Sequence, residues 1–136
     1  MEKYIDLVLT RHWYDEIRAG RKDVEYRAVT PFWARRLGFD YTTRNGKIEV
    51  SPRCKVFTKS APVKFYAWFR RGYVSAPALV LRIVGIDIGP CPIPGWNGLY
   101  FRIRLDREEV NKCKRIPVTK YKILKGGDIE WASDAK

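Results

Sequence analysis

The chain has 136 residues, 46% of them hydrophobic, which suits one compact domain able to bury roughly two-thirds of its unfolded surface. Its net charge of +12, from 27 Lys and Arg against 15 Asp and Glu, favours polyanionic partners: nucleic acid, nucleotides or an anionic membrane surface. No apolar run approaches the roughly 18–20 residues that span a bilayer, and the opening Met-Glu-Lys-Tyr-Ile-Asp carries charge where a secretion signal needs apolar residues. Cys54, Cys91 and Cys113 lack the number and spacing of a disulfide framework or a zinc site. A cytoplasmic protein with buried thiols, no metal, no cofactor and no membrane partner is therefore expected.

In chain order, residues 4–9 alternate and read as a strand. Thr10 then offers a helix N-cap ahead of Trp13 and Ile17, one turn apart. Ala19-Gly20 supplies the stop, and Val24 and Tyr26 restart an alternating strand. Thr30-Pro31 opens a short helix with Phe32, Trp33 and Leu37 as its apolar face and Arg35 and Arg36 directed elsewhere. Asn45-Gly46, flanked by β-rich segments, is a strong hairpin signal, and that hairpin serves either as a lid or as decoration. Residues 55–58, 63–69, 79–88, 99–105 and 116–124 read as further strands separated by Pro and Gly. Residues 126–136 form a polar tail, either flexible or docked through Ile129 and Trp131. Two early helices and seven or eight strands predict a single α+β domain over residues 1–136, with a curled sheet or small barrel.

Two strands present mixed faces. Alternation over 63–70 puts Val63, Phe65, Ala67 and Phe69 on one side and Lys64, Tyr66, Trp68 and Arg70 on the other. Over 99–105, Phe101, Ile103 and Leu105 point inward while Tyr100, Arg102 and Arg104 point outward. Rings that stack on bases beside cations that meet phosphates suit a platform for single-stranded nucleic acid. The same pattern also describes the ordinary wet face of an antiparallel sheet.

The most informative segment is Gly-Arg-Lys-Asp-Val-Glu-Tyr-Arg at residues 20–27, where a chain reversal meets a strand. Three unlike charges in six residues are costly to bury, so Lys22, Glu25 and Arg27 either sit in water as a surface ion-pair cluster or line a polar pocket. On a strand Glu25 and Arg27 share a face. Lys22 falls on the opposite face by strict counting and joins them only from a turn or bulge. His12 stands alone, without a second histidine for acid–base work. No dinucleotide fingerprint, phosphate loop or nucleophile elbow is present.

The set Gly20, Lys22, Glu25 and Arg27, after a strand and helix and before Pro31-Phe-Trp33, resembles the signature of the ASCH domain, a family within the PUA-like superfamily. The resemblance is strong over residues 4–37 and loose over the strands at 63–105. It implies a PUA-like mixed β-barrel with flanking short helices, and a cleft in which Lys22, Glu25 and Arg27 bind RNA or a nucleotide-like ligand, with Gly20 as the turn leading in. Family members that hydrolyse N4-acetylcytidine carry a threonine nucleophile where this chain has Glu25, a poorer acyl acceptor. Others are linked to ribonuclease activity, for which Glu25 and Lys22 or Arg27 could act as base and cation. The expectation is thus RNA or modified-nucleotide binding, with a small hydrolase using Lys22 and Glu25 as the alternative. A protein-interaction module displaying Trp and Tyr is a third reading.

Overall fold

A computed structural model describes residues 2–57, 64–72 and 77–108, together with the backbone of 114–116, 121–123 and 129–131. Strand β1 (Glu2–Leu9) turns Ile5, Leu7 and Leu9 inward. It leads into helix α1 (Arg11–Arg18), which buries Tyr14 and Ile17. Thr10 stands at the N-cap, although its side chain makes no capping bond. The helix closes at Ala19, and Gly20 takes φ +79°, a left-handed conformation that glycine adopts without steric cost.

Strand β2 (Val24–Ala28) follows, then helix α2 (Pro31–Leu37), whose N-cap Thr30 hydroxyl accepts from the Trp33 amide at 3.3 Å. The buried face of α2 is Ala34 and Leu37, with Trp33 packed partly against the core. Phe32 does not belong to that face: it is 54% exposed, since it lies five positions before Leu37 and the apolar stripe of a helix recurs at three and four. Gly38, at φ +84°, ends α2 where an added Cβ would lie 2.8 Å from Val56 Cγ2.

Asn45 and Gly46, at φ +51° and +73°, form the two-residue turn between β3 (Phe39–Arg44) and β4 (Lys47–Cys54), pairing Arg44 with Lys47. This hairpin is a separate two-stranded sheet, tied to the core at its base through Phe39 and Cys54. Residues 55–57, expected as a strand, form instead a single 3-10 turn, Lys55–Phe57. The Lys55 amide donates to the Gly38 carbonyl at 2.8 Å, folding the chain back so that Val56 fills the space beneath α2. Thr58 and Val63 lie outside the described residues.

The main sheet runs in the order β1, β5 (Lys64–Arg71), β6 (Ala78–Pro90), β7 (Leu99–Leu105) and β2, with β5 parallel to β1 and the remaining pairs antiparallel. Strand β6 is 13 residues long. Its first half pairs with β5 and with the short β8 (Lys114–Ile116), and its second half pairs with β7. A register shift between Ile83 and Gly85 bends the strand from one partner set to the other. Phe65, Ala67, Phe69, Phe101, Ile103 and Leu105, the residues expected inside, are all buried, and they share one core with Leu7, Ile17, Leu37 and Leu81.

Residues 116–124, read as one strand, divide between β8 and β9 (Tyr121–Ile123). Within the tail, β10 (Ile129–Trp131) pairs antiparallel with β9. The architecture is α+β. Among the described residues the ladder does not close into a barrel, and β1 and β2 stand at its two ends. Among the described residues no helix is long and apolar enough to cross a membrane.

Candidate functional site

The charged triad assembles because the chain is still turning when it passes Lys22. After Gly20 the amides of Arg21 and Lys22 both donate to the Glu16 carbonyl, at 3.0 and 3.3 Å, so Lys22 belongs to the helix-closing turn and not to β2. Freed from strand alternation, its Nζ reaches Glu25 Oε1 at 2.8 Å. Arg27, two residues along the same face as Glu25, donates an Nη2 hydrogen bond to Oε2 at 2.9 Å. The Tyr26 amide also donates to Oε1, at 3.0 Å. Glu25 is 4% exposed, and among the described residues the only other buried charged side chain is Asp6. A carboxylate taken so far out of water needs these partners.

Aromatic rings border both cations. Lys22 Nζ lies 4.3 Å from the Trp13 ring centroid and 6.0 Å from that of Tyr26, while the Arg27 guanidinium lies 4.9 Å from Trp33. Arg36, on α2, approaches Trp33 at 5.3 Å and the exposed Phe32 at 5.1 Å. Cations and rings thus alternate from Trp13 on α1, across the triad, to Phe32 on α2. Trp13 and His12 meet edge-on at 4.5 Å, with His12 exposed.

The same guanidiniums hold the end of the sheet. Arg27 Nη2 donates to the Val8 carbonyl at 3.0 Å and Arg36 Nη2 to the Asp6 carbonyl at 3.2 Å. These are successive carbonyls of β1 on the side away from β5, so two side chains cap that edge of the strand. The Arg27 Nε is buried with no acceptor among the described residues.

The other expected residues fare unequally. On β5, Lys64 is exposed and Tyr66 is half-buried, stacked on Tyr4 at 5.5 Å. Trp68 does not face solvent: it is fully buried with Ala78, against Tyr4 and Val80, because a second, smaller apolar cluster forms on the outer side of β1, β5 and β6. Arg70 is committed to a bidentate pair with Asp6, at 2.6 and 2.8 Å. On β7, Tyr100 and Arg102 are half-exposed and Arg104 is exposed, as alternation expects. Arg102 and Arg104 share the Asp87 carboxylate, at 2.7 and 2.9 Å, and the Arg102 hydrogen bond, followed by that of Arg104, holds Asp87 below the usual carboxylate range.

Reasoning from sequence missed Trp13, Tyr26, Trp33 and Arg36 as members of this region. The only available signal was the presence of tryptophans on the helices either side of residues 20–27. Cys54 and Cys91 are free and buried, and burial pushes the Cys54 thiol up. Cys113 lies outside the described residues. Among the described residues no three His, Cys, Asp or Glu side chains gather as metal ligands would. No family model, curated protein or solved structure matches the chain.

Proposed function

We propose that this chain is an ASCH-type protein of the PUA-like superfamily that binds RNA or a nucleotide-like ligand at Lys22, Glu25 and Arg27. The observation that carries the reading is the convergence of an ammonium, a carboxylate and a guanidinium into one mostly buried group bordered by Trp13 and Trp33. Glu25 fixes the spacing of the two cations. Lys22 and Arg27 supply the positive field for a phosphate, and the tryptophans offer apolar planes at base height. The unpartnered Arg27 Nε is donor capacity within the same group. On this reading one side chain links the two end strands of the ladder, Arg27 of β2 donating to the Val8 carbonyl of β1, while Arg36 ties α2 to β1.

The hydrolase alternative draws less support from this geometry. Glu25 accepts from Lys22, Tyr26 and Arg27, which occupies three of roughly four lone-pair sites. A general base needs a lone pair turned toward the proton it removes. The test is titration of a fluorescein-labelled single-stranded RNA at several salt concentrations. Binding should weaken steeply with salt, and Lys22→Ala or Arg27→Ala should reduce it. Affinity independent of ionic strength, or unchanged in both variants, refutes the proposal. Release of acetate from N4-acetylcytidine that disappears in Lys22→Ala and Glu25→Ala would establish the hydrolase instead.

A further inference from the structure

The strand that carries the triad also shapes the opposite surface of the molecule. Glu25 and Arg27 leave β2 toward the triad, so Val24, Tyr26 and Ala28 leave it on the other side. There they meet the outward residues of β7 in register: Val24 beside Arg104, Tyr26 beside Arg102 and Ala28 beside Tyr100. Across β7 the rows continue onto β6 as Gly85, Asp87 and Gly89. Tyr100 therefore lies between Ala28 and Gly89, neither of which has a side chain tall enough to cover its ring. Trp96, 37% exposed, approaches that ring at 5.5 Å from the Pro-Ile-Pro-Gly loop, and Leu99 beside it is 64% exposed.

Arg102 has an unusual seat. A Cβ built on Gly89 would fall 2.5 Å from its Cζ, so the guanidinium lies flat across the glycine backbone while its edge pairs with Asp87. One carboxylate serves both Arg102 and Arg104, which leaves an excess positive charge on the face. Tyr26 joins this face to the triad, because the Lys22 ammonium stands 6.0 Å from its ring while Arg102 is its ladder partner.

We infer that the outer face of β2, β7 and β6 is a stacking platform for single-stranded nucleic acid, built from Tyr26, Tyr100 and Trp96 with Arg102 and Arg104 as phosphate contacts. The inference rests on the nucleic-acid reading of the triad and assigns a second, adjoining surface to the same strand of ligand. Unstacked bases lie on the rings, and a backbone phosphate takes the donors of Arg102 and Arg104 that face away from Asp87. The charge matches a polyanion. The outer face over β1 and β5 is less suited: Lys64 is exposed, but Tyr66 is stacked on Tyr4, Trp68 is buried and Arg70 is committed to Asp6. A duplex, whose bases are stacked on one another, has nothing to lay on these rings.

The test is fluorescence anisotropy on the full chain with labelled ten-nucleotide RNA and DNA of the same sequence, each single-stranded and as a duplex. Trp96→Ala with Tyr100→Ala should weaken single-strand binding about fivefold or more, the loss expected when stacking on a base is removed. The Trp96→Phe and Tyr100→Phe pair should retain it. Gly89→Ala should weaken binding with all charges kept, since the new methyl displaces only the mobile end of Arg102. Melting temperatures of the Trp96 and Tyr100 variants should stay near the parent value, because Trp96 is exposed and Tyr100 half-exposed; Gly89 is buried, so the Gly89→Ala melt is measured beside its binding. RNA and DNA strands binding alike, or RNA preferred, both fit the platform, whereas duplex preferred over single strand overturns it. Loss of binding in Arg27→Ala but not in the Trp96 and Tyr100 alanine pair overturns the platform alone. No single-strand binding by the parent protein overturns the triad reading as well.

Discussion

Replacing Glu25 with Ala is the sharpest probe of the triad, because the structure fixes what is left behind. The Glu25, Lys22 and Arg27 side chains are 5, 11 and 18% exposed, so the substitution strands two cations beside each other with little water to reach them. Removing one partner of a buried charge group costs about 3–5 kcal/mol. In a chain of this size each kcal/mol moves the melting point by about 3–5 °C, so a fall of about 10–20 °C is expected. Circular dichroism melts at neutral pH and low salt read it directly. The combined Lys22→Met, Glu25→Leu and Arg27→Met protein should recover most of that loss, because apolar replacement of a whole buried ion group is often neutral. What it cannot recover is the bond to the Val8 carbonyl, about 1 kcal/mol. That protein should be folded and unable to bind RNA. A Glu25→Ala melt within about 3 °C of the parent would refute the reasoning, since it would mean that the carboxylate carries no more than an exposed ion pair does, about 0.2–1 kcal/mol.

Gly38→Ala should cost at least about 1–2 kcal/mol, from its left-handed φ and the approach to Val56, and an unchanged urea midpoint would contradict the geometry at the end of α2. Leu37→Ala should cost about 2–5 kcal/mol by the same measurement, since Leu37 is fully buried under α2. The Asp87 carboxyl is depressed in the folded protein, so its stabilising pairing is complete at neutral pH and is lost as pH falls below about 4. Asp87→Asn should therefore narrow the stability difference between pH 7 and pH 3. The change should be under about 1 kcal/mol because the side chain is 43% exposed, and an identical acid limb in both proteins would count against the pairing. Cys54, buried with its thiol pushed up, should react with a thiol reagent at pH 8 only on unfolding, and rapid labelling of the native protein at this position would be the contrary result.

Local chemistry made much of the fold legible. Thr30-Pro31 opens α2, Asn45-Gly46 sets the hairpin register, and alternation places residues 100–105 of β7 on their observed faces. The failures on β5 have one cause: period-two counting sees a single strand and not what packs on it. Trp68 sits on the outward phase of β5, yet a second apolar cluster covers it. Arg70 is tied to Asp6, 64 residues earlier in the chain, through a parallel pairing that no short-range signal announces. The position of Lys22 was decided by the turn after Gly20, where alternation does not apply, and turn residues in isolation do not say how far a lysine will reach. Rings recruited from both helices make the candidate site a property of the tertiary arrangement.

The bonds from Arg27 to Val8 and from Arg36 to Asp6 form a seam that joins β1 to β2 and to α2. Trp33 is clasped between these two rivets. An anion that draws the Arg27 guanidinium toward itself through its unpartnered Nε shifts Nη2 relative to the Val8 carbonyl, so occupancy and the tie to β1 are coupled through one side chain. Hydrogen exchange along β1 would record that coupling as a change confined to one margin of the sheet.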